Sequence, residues 1–349
     1  MPDLRGFLER IFAACGGAMP FDEFMALALY DAEHGYYTTG IGEVGGREGD
    51  FATSATLSAG LGLGIAAWIR EESARHRWSG PVAVIEVGGG NGALAAGILK
   101  SLGWWRRRSI RYHLVEVSPV LRGLQRKRLG RSVSWHDTVV EALDAAGGRA
   151  LLFSNELVDA FPAKWLRFSE GSWREVWVRL EGGNLSEEFR ELSDGLVGEL
   201  FSALALTDPP EGQRIEIHPS FRRWLRDLAP HWREGSMLTI DYGADTAAEI
   251  YARRPGGTLR AYHRHERIEG GGVYSRFGKQ DLTCDVNFAD LVRWGEELGW
   301  ETVRLGSQGK FLERFGSARD AMADDGPGTA FRVLEQRCRI GGGHGREYR

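Results

Sequence analysis

Glu86, Glu116 and Asp137 each follow an apolar run, in VAVIEV, HLVEV and SWHD, and the first stands directly before the glycine-rich stretch VGGGNG. Carboxylates at the ends of successive strands are placed to accept hydrogen bonds from a bound ligand, because open α/β sheets bind at the carboxyl ends of their strands. Gly88, Gly90 and Gly92 let the backbone approach that ligand closely, and a following helix aims N–H groups at it. The glycine spacing alone fits a dinucleotide, S-adenosylmethionine (SAM), or a tight turn that holds nothing. Glu116 is suited to accepting from both ribose hydroxyls, which fits NAD and SAM equally. Glu86 discriminates. A carboxylate beside the turn would repel a pyrophosphate but favours a sulfonium and an α-ammonium, and SAM carries both cations. Asp137 is placed to accept from an adenine amine. Each acid taken singly is equally well a solvated loop residue; as a series they point to SAM.

The elements that must position these residues alternate. From Val82 the chain reads as four strands separated by three helices, from VAVIEV through ALAAGILKSL, RYHLVEV, PVLRGLQRKRL, SVSWHD, TVVEALDAA and ALLFSNEL. That pattern predicts a parallel sheet covered by helices on both faces. SMLTIDYG continues the sheet, and WETVRLGS and TAFRVLEQRCRI close it as an antiparallel edge. Residues 4–34 read as helical up to Gly35, residues 35–60 as a long glycine-rich loop, and WLRFSEGSWREVWVRLEGG as an inserted hairpin. Expected divisions are an N-terminal helical region with a lid loop (1–78), a SAM-binding half (79–162), an insertion with hairpin and helix (163–215), a second sheet half with loop-rich 251–285 (216–340), and a flexible tail (341–349).

Composition excludes several classes. With 44 Lys+Arg against 48 Asp+Glu, the net charge of -4 gives no drive toward nucleic acid, and WWRRRSIR reads as an exposed helix end. No apolar run reaches membrane-spanning length, and LRGFLERIFAACGG lacks the apolar core of a secretory signal, so the cytoplasm is the expected location. Cys15, Cys284 and Cys338 are unclustered, and His34, His263 and His265 lack metal-site spacing, so no metal is expected. No Walker lysine, GxSxG or Cys–His nucleophile pattern is evident.

The chain resembles the MidA-type SAM-dependent methyltransferases, whose mitochondrial members are complex I assembly factors that methylate a protein arginine. The resemblance rests on PFDEFMALALYDAEHGYY, GDFATS, EVGGGNGAL, EVSPVLRGLQ, SNELVDAFPAKW, LTIDYG, GTLRAYHRH and DLTCDVNFADL, and so covers most of the sequence. GYY, GDFxTS and SNExxDAxP together are far more specific than the glycine turn. Two departures stand out: the turn reads EVGGGNG where the family has EHGPGxG, and GDFATSAT lacks the proline and glutamate that commonly follow. The resemblance implies a class I methyltransferase-like, doubly wound, mostly parallel seven-stranded sheet, with SAM as cofactor and a protein substrate.

Arginine as acceptor poses its own difficulty. The guanidinium stays protonated at ordinary pH, so paired carboxylates must orient and polarise it. Glu156 and Asp159, in SNELVDAFP, are the expected acids, with Asp281 as helper; Asn155, Asp241 and Asp285 stand nearby in their motifs. Tyr37, Thr53 and Ser54, with Tyr36 and Asp50, belong to a loop that could fold over SAM, and Ser118 and Asn155 complete the expected cofactor set. The rivals are a non-catalytic SAM-binding assembly module, a small-molecule O- or N-methyltransferase, and an NAD-dependent oxidoreductase.

Overall fold

A computed structural model of the chain describes residues 3–40, 59–107, 109–193, 195, 206, 208–264, 266–315 and 327–338. The chain divides into two compact units, each assembled from discontinuous stretches. Unit 1 comprises Met1–Phe51, Val158–Phe221 and Thr246–Ala289; unit 2 comprises Ala52–Leu157, Arg222–Asp245 and Asp290–Arg349.

Unit 2 is the doubly wound domain. Its strands are β1 (Val82–Val87), β2 (Ile110–Val115), β3 (Ser134–His136), β4 (Leu151–Asn155), β5 (Gly235–Ala244), β6 (Glu301–Ser307) and β7 (Phe331–Cys338). Their spatial order is β3-β2-β1-β4-β5-β7-β6. Pairs from β3 through β5 are parallel, while β7 runs antiparallel to both β5 and β6. This is the class I methyltransferase order: the last strand inserts between β5 and β6, and the closing pair supplies the expected antiparallel pairings. The order reverses at β1, the switch point at which such sheets bind ligands.

Burial explains the strands. VAVIEV is buried along its whole length, as suits a strand covered on both faces. Phe153, Leu151, Leu238 and Ile240 form the centre of the core with Trp68, Ile69 and Ile98 from the covering helices Ala59–His76 and Ala93–Arg107. Those helices approach closely at Gly62, where an added Cβ would lie 3.4 Å from the Gly97 backbone. Gly103, at φ 73°, breaks the second helix near its end. Among the described residues, no helix is long and apolar enough to cross a membrane.

In unit 1 the expected continuous N-terminal helix is two helices, Leu4–Ala14 and Phe21–Tyr30, with a short strand Ala18–Pro20 between them. Gly16 and Gly17 cause the break, adopting φ of 70° and 89° that no right-handed helix contains. The expected hairpin is present as Lys164–Ser169 and Ser172–Glu181, extended by a third strand, Asn184–Glu191. Region 251–285, expected to be loop-rich, holds a three-stranded antiparallel sheet of Arg260–His263, Glu266–Ile268 and Asp281–Thr283. Phe21, Phe24, Trp165 and Tyr274 pack as a ring cluster in its core.

Phe153 is 1% exposed on the central strand β4. Replacing Phe153 by Ala should cost about 3–5 kcal/mol of unfolding free energy, measurable by denaturant titration.

Candidate active site

The loop after β1 carries the first acid and the glycine turn. Gly88, Gly90 and Gly92 all take positive φ, of 71°, 53° and 78°. Space as well as conformation demands glycine at two of them: a Cβ on Gly88 would lie 2.8 Å from Leu157, and one on Gly92 3.3 Å from Gln125 and Leu129. A Cβ on Gly90 would meet nothing within 4 Å, so this backbone faces open space. Behind the turn, the Asn91 side chain accepts from Ala93 N–H (3.0 Å) at the start of the helix, and Arg128 donates to both Asn91 oxygens at 2.6 Å.

Glu86 is buried, and its carboxylate accepts from the Tyr112 hydroxyl at 2.6 Å. Burial pushes its pKa up to about 7, against the pull of that hydrogen bond and reinforced by the nearby charge of Glu116. Glu116 is buried too. One oxygen accepts from Ser118 N–H (2.9 Å), the other from the Gln125 amide (3.0 Å). Desolvation raises Glu116 to about 7 despite these bonds. Both groups therefore sit near half-ionisation at neutral pH, where a cation or a pair of hydroxyl donors would shift them to the charged form.

Gln125 joins the two halves of this arrangement. Fully buried, its amide donates to Gly90 O (2.8 Å) as well as to Glu116, while its oxygen accepts from the Trp135 indole (3.0 Å). Sequence reasoning missed it. The available signal was a polar residue on the buried face of PVLRGLQRKRL, where Leu121, Gln125 and Leu129 recur at helical spacing. Ser118 lies at 0% exposure, and its hydroxyl caps this helix by accepting from Leu121 N–H at 3.3 Å. Asp137 is largely exposed past β3 and pairs with Arg122 at 2.6 Å; Arg122 also donates to the Glu116 and His136 carbonyls.

At the end of β4, Asn155 donates to Glu156 at 3.0 Å. Glu156 has φ 53°, a left-handed conformation that costs a non-glycine residue about 1–2 kcal/mol. Buried Asp241, past the middle of β5, holds the next residue in place by accepting from Leu157 N–H at 3.1 Å. Strain of this kind on a sheet-end loop is a mark of functional positioning.

Unit 1 carries the remaining acids. Asp159 is buried in the short turn Val158–Ala160, and its carbonyl accepts from Cys284 N–H at 3.1 Å. Asp281, equally buried, accepts from the Tyr37 hydroxyl at 2.8 Å. Tyr37 stacks on Tyr30 with ring centroids 5.5 Å apart, and its ionisation is pushed well up by burial, then by Asp281, Tyr30 and Asp159. Asp281 thus contacts this tyrosine directly, and the charge of Asp159 acts on it as well. Asp285 is committed elsewhere, to ion pairs with Arg260 (2.6 Å) and Arg254. Cys284 does touch a histidine, His218, at 3.3 Å, but both are buried, and burial raises the thiol pKa well above its ordinary value. Thr53, Ser54, Asp50 and His265 lie outside the described residues. Among the described residues, no group of acidic, His and Cys side chains could hold a metal ion.

Comparison with known proteins decides what this arrangement belongs to. The S-adenosyl-L-methionine-dependent methyltransferase family model Methyltransf_28 matches residues 64–305, about two thirds of the chain. The chain belongs to this family. Its relatives include the mitochondrial protein arginine methyltransferase NDUFAF7 homolog of Drosophila melanogaster, 29% identical over 87% of this chain and 73% of the relative. The NDUFAF7 protein arginine methyltransferase of Xenopus tropicalis is 26% identical over 86% of this chain and 72% of its own. A Burkholderia thailandensis structure bound to S-adenosyl-homocysteine superposes with a TM-score of 0.81 at 27% identity, covering 95% of this chain and 91% of its own. The cofactor of this methyltransferase family is SAM, and the rival reading as an NAD-dependent oxidoreductase falls.

Two measurements check the donor-side geometry. Because burial raises Glu116 from 4.5 to about 7, its neutral form is favoured by folding, and that stability is lost as pH rises from about 4.5 through about 7. Glu116→Gln should therefore gain stability relative to the unliganded wild type between pH 5 and pH 8, read from paired denaturant titrations. Gln125→Ala leaves Gly90 O, Glu116 and the Trp135 indole without their partner, and should lower stability by at least about 2 kcal/mol. It should also weaken S-adenosylhomocysteine binding in calorimetry.

Proposed function

We propose that this methyltransferase transfers the methyl group of SAM to an arginine guanidinium of a protein substrate. The observation that carries the reading is the buried Asp281 carboxylate held by the Tyr37 hydroxyl in unit 1, with the charge of Asp159 acting on the same tyrosine. A guanidinium needs flanking carboxylates that hold it planar and draw on its protons. The names of the relatives, protein arginine methyltransferases at 25–29% identity, support the same acceptor.

We assign the donor to unit 2. Glu116 would accept from the ribose hydroxyls, with Ser118 acting through it by donating its N–H to the same carboxylate. The Gly88–Gly92 turn, open at Gly90, would receive the amino-acid part, and Glu86 beneath it would favour its positive charge. Asp137 would accept from the adenine amine, and Asn155 would steady Glu156. When bound, SAM supplies an electrophilic methyl on a sulfonium that leaves as a neutral thioether. The protein's own part is alignment and exclusion of water.

On the acceptor side Asp159 and Asp281 orient the guanidinium and take the proton it loses as the new C–N bond forms. Tyr37 fixes the Asp281 carboxylate through its hydroxyl, so we place Tyr37 with the acceptor rather than the cofactor. Glu156, the other acid expected from the sequence, is held in its strained conformation in unit 2.

Incubation with isotopically labelled SAM and proteins from cells lacking this chain should yield labelled methylarginine, identified by mass spectrometry. Asp159→Asn and Asp281→Asn should each lower the rate by about 100-fold or more, with S-adenosylhomocysteine affinity nearly unchanged. Label confined to small molecules or to other residue types, or no transfer at all, would refute the arginine acceptor.

A further inference from the structure

Unit 1 contains a cleft of about 710 Å³, the size of a pocket that takes an extended ligand segment. Its lining carries four arginines, Arg214, Arg253, Arg254 and Arg267, against two acids, Glu187 and Glu269. Their engagement differs. Arg214 is tied down, forked onto Glu187 at 3.0 and 2.6 Å and stacked on Trp165, 4.1 Å from the ring centre. The Tyr274 hydroxyl donates to the same glutamate at 3.1 Å. Arg254 belongs to Asp285. Among the described residues, Arg267 pairs with the exposed Glu269, a surface pair that contributes little and can exchange partners. No carboxylate of the described residues pairs with the exposed Arg253. The cleft therefore presents surplus positive charge on two accessible guanidiniums.

Its rim is built rather than incidental. The buried carboxylate of Glu216 accepts from Thr258 N–H (3.0 Å), the Thr258 hydroxyl (2.8 Å), Leu259 N–H (3.2 Å) and the Tyr251 hydroxyl (3.0 Å). That fixes the 256–259 rim, and Gly257 is required there because a Cβ would stand 2.3 Å from Glu216. By contrast, a Cβ on Gly256, Gly270 or Gly271 would meet nothing within 4 Å, so bare backbone faces open space along the cleft. Bare backbone beside an aromatic wall suits a peptide main chain, and accessible guanidiniums suit its carboxylates. The cleft is also wired to the acceptor side within the same unit. Arg254 shares Asp285 with buried Arg260, whose positive charge Asp285 and Asp159 both favour.

We propose that this cleft docks an acidic segment of the protein substrate, with Arg253 and Arg267 receiving its carboxylates. The inference rests on the protein-acceptor reading and adds to it a charge preference flanking the modified residue.

The test is fluorescence anisotropy with two labelled peptides, each carrying one arginine, one with flanking glutamates and one with glutamines in their place. Measurements are made with S-adenosylhomocysteine present. The acidic peptide should bind about tenfold tighter or better, and raised salt should erase the difference. Arg253→Glu and Arg267→Glu, both at exposed positions, should abolish the preference while leaving the melting temperature and its response to S-adenosylhomocysteine unchanged. Equal binding of both peptides, binding of neither, or a preference that survives both reversals would overturn the proposal. Failure of the parent reading looks different: an acidic preference that follows Arg253 and Arg267, in a protein that methylates no arginine, removes the acceptor and leaves the docking site standing.

Discussion

Two carboxylates withdrawn from water on neighbouring strands set the terms for unit 2. Glu86 ends β1's apolar run and Glu116 follows β2; each is buried, each is carried to about 7 chiefly by desolvation, and the charge of Glu116 adds to the shift of Glu86. Unit 2 holds this unfavourable arrangement with specific bonds: Tyr112 on Glu86, and Ser118 N–H with Gln125 on Glu116. Groups so perturbed cluster where a ligand supplies what the protein leaves short, which in the donor site we propose is positive charge and hydroxyl donors.

Unit 1 solves a different problem with similar means. Its acids do not face each other unpaired. Asp281 has the Tyr37 hydroxyl, and Asp285 has two arginines, so their charges are held by defined partners. Asp281 and Asp285 stand four residues apart, yet the chain sends them to unlike surroundings: one sits on a strand beside a tyrosine, the other past its end between guanidiniums. In the acceptor site we propose, that separation leaves Asp281 rather than Asp285 for the substrate.

Legibility in the sequence followed the range of the interactions involved. The alternating runs of unit 2 were readable because each strand and helix is a local pattern, and the strand-end acids were readable because they directly follow those runs. Position within the sheet was less so: β7's place between β5 and β6 depends on pairing across about 90 residues of intervening chain. Gln125 was hidden because its three partners come from Gly90, Glu116 and Trp135, and no spacing rule joins them. In unit 1 the hydrophobic pattern of residues 4–34 overrode Gly16 and Gly17, which the fold uses as a break between two helices. The small sheet of region 251–285 was obscured by strands of only three or four residues set among glycines.

The most direct test of the donor-site account is proton linkage in S-adenosylhomocysteine binding. Calorimetric titrations at pH 7, in buffers of different ionisation enthalpy, count the protons exchanged. Glu86 and Glu116, each near half-protonated in the free protein, should ionise as the ligand's ammonium and ribose hydroxyls arrive. Net proton release is the predicted result, and Glu116→Gln should reduce it. Binding with no proton exchange, or with identical release in Glu116→Gln, would contradict the claim that these buried carboxylates receive the methyl donor.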